Sequence, residues 1–198
     1  MLTTYPAETA AAFLVLAHGA GAGQKSPFMV QVARGMAARG VTTATFDFPY
    51  MTARRKIPDR APVLEDAWRQ AIDEARSQLA GLPLFIGGKS MGGRIASHIG
   101  AQGYPGIAGL IFLGYPLHPP GKPEQRRDAH LPSVAAPMLF VQGSRDPFGT
   151  SAEIAALMPS LQHAMLHEVA GGDHSFKVPG RKDTVDAIMD AVAGWIRR

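Results

Sequence analysis

Apolar residues in this chain alternate between short continuous runs and longer stretches where they recur every third or fourth position. The continuous runs predict buried strands at residues 13–17, 41–46, 82–86, 110–113, 138–141 and 164–169. The periodic stretches predict helices. Residues 26–39 have Ser26 as a candidate N-cap, Pro27 at the first helical position and Gly40 as a stop. Residues 62–80 start at Pro62 and carry Val63, Leu64, Ala67, Trp68, Ala71, Ile72, Ala75 and Leu79 as one apolar stripe, ended by Gly81. The stripe makes Trp68 a core residue. Residues 94–101, 154–158 and 184–196 complete the helical set, the last with Val185, Ile188, Met189, Val192 and Ile196 at helical spacing.

Strands separated by helices at this rhythm imply right-handed βαβ units: an α/β fold with a mostly parallel sheet of about six strands and helices on both faces. The proline-rich stretch 116–137 interrupts the alternation. An irregular excursion of that length inside a compact domain is often functional. No internal repeat or linker-like change of composition appears, so residues 1–198 read as a single domain.

Composition narrows the function. With 46% hydrophobic and 18% charged residues the chain is globular. Its net charge of +4 is spread over short basic runs at Arg54-Arg55-Lys56, Arg126-Arg127, Arg181-Lys182 and Arg197-Arg198. These read first as solvated surface and second as a rim that attracts anionic substrates; no block suggests nucleic-acid binding. The absence of cysteine excludes disulfides, thiolate zinc sites and a cysteine nucleophile. Residues 10–23, "AAAFLVLAHGAGAG", mimic a secretory leader but lack a basic region, and Glu8 precedes them. The run is also too short to span a bilayer. It is read as a buried strand and the protein as cytoplasmic, without a membrane partner.

One stretch carries chemistry: "GGKSMGG", residues 87–93. Gly88-Lys89-Ser90 resembles the end of a phosphate-binding loop, but the position where that loop needs its first glycine holds Pro83. Proline there lacks an N–H, and the loop works by aiming N–H groups at phosphate. The same letters contain Gly88-Lys89-Ser90-Met91-Gly92, a G-x-S-x-G nucleophile turn. In a chain with 22 glycines the bare motif is weak, and its context decides. A predicted strand enters it and a predicted helix follows. Glycines at ±2 remove the side chains that would collide as the helix passes back over the strand. The plainer reading of Ser90 is a helix N-cap.

A serine nucleophile needs a base, and the base needs an orienting acid. Of seven histidines, His174 in "GGDHSF" is best placed, on a glycine-rich turn between the last strand and the last helix. His98 lies within a helical stretch, His163 and His167 flank or enter a strand, and His118 and His130 belong to the proline-rich excursion. His18 ends a strand and reads as a brace for its turn. The acid is Asp146 in "GSRDPFGT", which follows the strand before His174. Asp173 competes, but adjacency to His174 is poor geometry for a carboxylate–imidazole bond, and a turn-fixing role suits it better. The order Ser90, Asp146, His174 is that of α/β-hydrolases. For an oxyanion hole, the N–H of Met91 is the first expected donor, and "HGAGAG" (18–23) supplies the second from Ala20, with Gly21 as the alternative. Phe48, Tyr50, Tyr115, Pro116, His118 and Phe148 follow or neighbour strand ends and are candidate lining residues. Ordinary packing explains each equally well.

Together, "HGAGAG", "FDFPY", "GGKSMGGR", "LGYPLHPPGKPEQRR", "FVQGSRDPFG" and "GGDHSF" resemble the α/β-hydrolase superfamily from about residue 12 to the C-terminus. More narrowly they resemble a small cap-less group related to dienelactone-hydrolase-like proteins and to a subunit of a eukaryotic histone-acetyltransferase complex. The resemblance implies the α/β-hydrolase fold and supports Ser90, Asp146 and His174. Dienelactone hydrolases use cysteine where this chain has Ser90, which argues against that particular substrate. The chain also lacks the usual first antiparallel strands and any helical cap. The expected function is a serine esterase or thioesterase acting on a small acyl substrate, without metal or organic cofactor. The alternative is a non-catalytic binding module that keeps the fold.

Overall fold

The computed structural model describes residues 1–198. Seven strands form one sheet in the order β1-β3-β2-β4-β5-β6-β7. They are β1 (Thr3–Tyr5), β2 (Ala12–Ala17), β3 (Val41–Phe46), β4 (Leu84–Lys89), β5 (Ile107–Leu113), β6 (Met138–Gly143) and β7 (Ala164–Val169). All neighbours are parallel except β1, which runs antiparallel to β3. The helices are α1 (Pro27–Ala38), α2 (Pro49–Thr52), α3 (Ala61–Arg76), α4 (Met91–Ala101), α5 (Ser151–Ala155) and α6 (Thr184–Ile196). No helix is long and apolar enough to cross a membrane.

The continuous apolar runs arise because the central strands are covered on both faces. Along β2, Phe13, Val15 and Ala17 face the core that holds Leu64, Trp68 and Ile72 of α3 and Ile95 and Ile99 of α4. Ala12, Leu14 and Leu16 face the opposite core, with Met29, Val32 and Met36 of α1 and Ile188, Met189 and Val192 of α6. The same alternation runs through β5 and β6, where Phe112 and Phe140 point one way and Ile111 and Leu139 the other. Each such side chain, fully buried, contributes about 1.5–3 kcal/mol of transfer free energy. Trp68 is wholly buried, as its place on the stripe required.

Several sequence expectations need correction. The mostly parallel sheet of about six strands has seven, and an initial antiparallel strand, expected to be missing, is present. β1 is three residues of mixed exposure, too short and polar for periodicity to reveal. Helix α3 stops at Arg76, and the chain turns through left-handed Ala80 (φ 46°) and Gly81 (φ 85°). Its predicted stripe is also too wide at the start, because Val63 is 43% exposed. α4 begins at Met91, directly after the motif, instead of at 94. α5 starts at Ser151, fixed by a capping box in which Thr150 Oγ1 accepts from the Glu153 N–H and Glu153 Oε2 accepts from the Thr150 N–H.

The excursion between β5 and β6 is irregular, with one helical turn at Leu131–Ser133. It is nonetheless pinned. The Tyr115 hydroxyl donates to the Arg127 carbonyl at 2.8 Å. Ser97 Oγ meets His130 Nε2 at 2.7 Å, and His118 Nε2 meets Glu153 Oε1 at 3.1 Å. His130 is pushed down to about 4 by burial and by neighbouring His98 and Arg94, so it is neutral at ordinary pH.

Candidate active site

The strand–turn–helix around Ser90 is sharp. Ser90 has φ 50° and ψ −117°, a conformation L-residues avoid and that costs on the order of 1–3 kcal/mol. It is held on both sides, by the Ser90 N–H donating to Leu113 O at 3.1 Å and the Arg94 N–H donating to Ser90 O at 3.0 Å. The glycines are there for clearance. A Cβ on Gly88 would strike the Ala17 carbonyl oxygen and come within 3.0 Å of the Gly92 carbonyl carbon. One on Gly92 would lie 2.5 Å from Ala17 O and 2.7 Å from His18 O. The far side of the turn rests on Trp68, whose indole N–H donates to Gly92 O at 3.2 Å. Gly88→Ala should therefore destabilise the fold by about 3 kcal/mol, lowering Tm by roughly 6–12 °C. Calorimetry that finds Tm within about 2 °C of wild type would contradict the clearance explanation.

At the C-terminal ends of β4, β6 and β7 three distant side chains meet. Ser90 Oγ lies 2.9 Å from His174 Nε2, and His174 Nδ1 lies 2.7 Å from Asp146 Oδ2. An ionised carboxylate only accepts, so the ring proton sits on Nδ1 and leaves Nε2 free to accept from the serine hydroxyl. Asp146 is 1% exposed. Its Oδ1 accepts from the Phe148 N–H at 2.8 Å, and its Oδ2 also accepts from Gln142 Nε2 at 3.0 Å. Asp173 is not part of this series: its Oδ1 accepts from the Ser175 and Lys177 N–H groups and fixes the turn that presents His174.

The turn after β2 lies beside Ser90. A Cβ on Gly19 would be 3.5 Å from that of Ser90, and the Ala22 N–H donates to Gly19 O at 3.3 Å, closing the turn over Ala20 and Gly21. His18 braces it. His18 Nδ1 donates to Gly19 O at 2.8 Å, while Nε2 accepts from the Phe48 N–H at 3.2 Å. Burial lowers the pKa of this imidazole, in keeping with a neutral structural role. Ala20 and Met91 both line an open cleft of about 920 Å³ that also holds Ser90 and His174. The Met91 N–H, at the first position of α4, has no intrahelical acceptor.

The chain belongs to the alpha/beta hydrolase domain family, whose model matches residues 10–197. Solved structures of the same fold superpose on this alpha/beta hydrolase. A dienelactone hydrolase from Anabaena variabilis superposes with TM-score 0.80 at 21% identity, over 99% of this chain and 90% of that one. An α/β serine hydrolase without a lid from Xanthomonas campestris gives 0.78 at 18%, over 100% and 88%. The esterase domain of a Rhodothermus marinus protein gives 0.74 at 14%, over 100% and 98%. At these identities the likeness is one of fold. Within residues 1–198 no cap domain is added to the sheet and its helices.

Of the candidate lining residues, Pro116 and Phe148 face the cleft, and the Phe148 ring lies 4.3 Å from that of His174. Phe48, Tyr50 and Tyr115 are instead fully buried core, and His118 is 6% exposed and bonded to Pro119 O and Glu153. Two residues that sequence reasoning missed contact the Ser90–His174–Asp146 series directly. Gln142, wholly buried at the end of β6, donates to Asp146 and to Gly149 O at 2.6 Å and accepts from the Tyr115 N–H at 2.7 Å. A lone amide in an apolar strand run was its sequence signal. Lys89 donates from Nζ to the His174 carbonyl at 2.6 Å, with its ammonium 5.2 Å from the centre of the Phe176 ring. Burial pulls Lys89 down to about 8, against the opposing pull of Asp146 and Asp173.

Proposed function

We propose that this alpha/beta hydrolase is a serine esterase or thioesterase that cleaves a small acyl substrate through an acyl-enzyme on Ser90. The observation that carries the reading is the series Ser90–His174–Asp146, with both hydrogen bonds formed and the carboxylate buried. His174 Nε2 takes the proton as Ser90 Oγ adds to the carbonyl carbon. The N–H groups of Met91 and Ala20 stabilise the resulting oxyanion, a contribution of about a hundred- to a thousandfold per donor. His174 then returns the proton to the departing alcohol or thiol, and Asp146 stabilises the imidazolium while it exists. Water attacks the ester on Ser90 by the same proton route and frees the acid. The chemistry draws on neither metal nor organic cofactor. The esterase and serine-hydrolase descriptions of the Rhodothermus and Xanthomonas proteins support this reading.

A panel of short-chain 4-nitrophenyl esters and acyl thioesters tests it. Saturable turnover of at least one is expected; folded protein inert toward the whole panel and toward a fluorophosphonate would favour the binding module instead.

Lys89 is a positioning residue in this scheme, because it holds the His174 main chain. Its charged form prevails below about pH 8 and is lost as pH rises through that value. Lys89→Met is expected to lower kcat about tenfold, the worth of one charge-assisted hydrogen bond. The wild-type decline in kcat above pH 8 should be absent from the variant. A variant that keeps the wild-type pH profile would remove Lys89 from the account.

A further inference from the structure

The cleft beside Ser90 contains two cations that the chain itself leaves without partners. Arg94 stands four residues beyond Ser90 on α4 and lines the cleft; its Nε is buried and makes no hydrogen bond. Arg127 lines the same cleft from the proline-rich excursion. Its main chain is fixed at both ends of the residue, the N–H donating to Leu117 O at 2.9 Å and the carbonyl accepting from the Tyr115 hydroxyl. Neither guanidinium has a carboxylate partner. Asp128, next to Arg127, is taken by Arg126 at 2.6 Å, and Asp59, the one carboxylate on the cleft wall, pairs through Oδ1 with Arg55 at 2.6 Å and leaves its buried Oδ2 without a hydrogen bond. The two guanidiniums are close enough for Arg127 to disfavour the charge on Arg94.

Placing two like charges together, partly desolvated and unpaired, works against folding. A fold that pins both in place gains from it only when something negative sits between them. We infer that Arg94 and Arg127 form an anion-recognition subsite, so that the substrate carries a carboxylate or phosphate a few atoms from the bond that is cleaved. This deepens, and rests on, the acyl-enzyme reading of Ser90. The planar guanidinium suits either oxyanion, since both offer paired acceptors. Ser90, Arg94 and Arg127 line one cleft, so the anion and the reacting carbonyl belong to the same small molecule. Lys177, Arg181 and Lys182 continue the positive sign along the rim, which favours capture of an anionic substrate.

Two esters of equal chain length separate this from a plain acyl pocket: 4-nitrophenyl hemiglutarate and uncharged 4-nitrophenyl valerate, with spontaneous hydrolysis subtracted. Wild-type kcat/KM should favour the charged ester by about tenfold or more, and Arg94→Gln and Arg127→Gln should each reduce that ratio by about tenfold. The ratio is the readout, so a general loss of activity does not imitate the effect, and either variant serves if the other misfolds. A wild-type protein without the preference, or variants that retain it, overturns the subsite and leaves the Ser90 chemistry standing. Should neither ester be hydrolysed, the ratio has no value and binding takes its place. Calorimetric titration of wild-type protein with glutarate and with inorganic phosphate then decides the subsite alone. Binding that disappears in the Arg94→Gln/Arg127→Gln double variant supports it, and no binding to either anion overturns it. Tighter glutarate assigns a carboxylate, tighter phosphate a phosphate ester.

Discussion

Ser90→Ala should abolish turnover, with kcat reduced by about 10⁵–10⁶ and the fold intact. The size follows from what is removed. Without the hydroxyl, His174 has no proton to accept and no covalent intermediate forms, so only the oxyanion donors and substrate positioning remain. The substitution leaves the strained φ of 50° in place, because the Leu113 and Arg94 main-chain bonds that hold it do not involve the side chain. Stability should therefore change by less than about 1 kcal/mol, the usual range for a small polar group at a cleft surface. Thermal denaturation alongside kcat separates a chemical loss from a structural one. Residual activity above about a hundredth of wild type would assign the chemistry to another group.

Asp146→Asn should cost about 10³–10⁴ in kcat with little change in KM. The neighbours of Asp146 make the amide a poor substitute in either orientation. With its NH₂ toward His174, the imidazole must present a lone pair at Nδ1, so Nε2 carries the proton and cannot take another from Ser90. In that orientation the NH₂ also opposes Gln142 Nε2, itself a donor at 3.0 Å. With its oxygen toward His174, the NH₂ opposes the Phe148 N–H that now bonds Oδ1 at 2.8 Å. Asp146 is also buried, so water cannot repair either mismatch. The measurement is kcat and KM from pH 6 to 9. A variant within about tenfold of wild type would show that Asp146 does not set the tautomer.

Much of the fold was readable because both faces of the sheet are covered. Strands such as β2 and β6 then become unbroken apolar runs, and helices α3 and α6 become stripes. β1 was not readable, since Thr3–Tyr5 carries no apolar period and owes its strand form to pairing with β3. Ser90, Asp146 and His174 could be named from a motif plus the strand each one follows. Lys89 and Arg94 flank Ser90 in "GGKSMGGR" and received no role from the sequence, because what they touch depends on chain far away: Lys89 meets a carbonyl 85 residues on. Phe48, Tyr50 and Tyr115 show the converse error. Position after a strand end does not say which way a ring turns, and these turn into the core beneath the site. Thr150 and Glu153 at capping-box spacing did mark the start of α5, and the apolar period alone placed it too late.

The most direct measurement is to treat the folded protein with a fluorophosphonate, digest it with trypsin and locate the adduct by mass spectrometry. Lys89 and Arg94 flank Ser90, so cleavage isolates it on the peptide from Ser90 to Arg94. A stoichiometric adduct on Ser90, lost in His174→Ala, is the expected result. No adduct, or one on a different serine while Ser90 stays free, would contradict the acyl-enzyme chemistry.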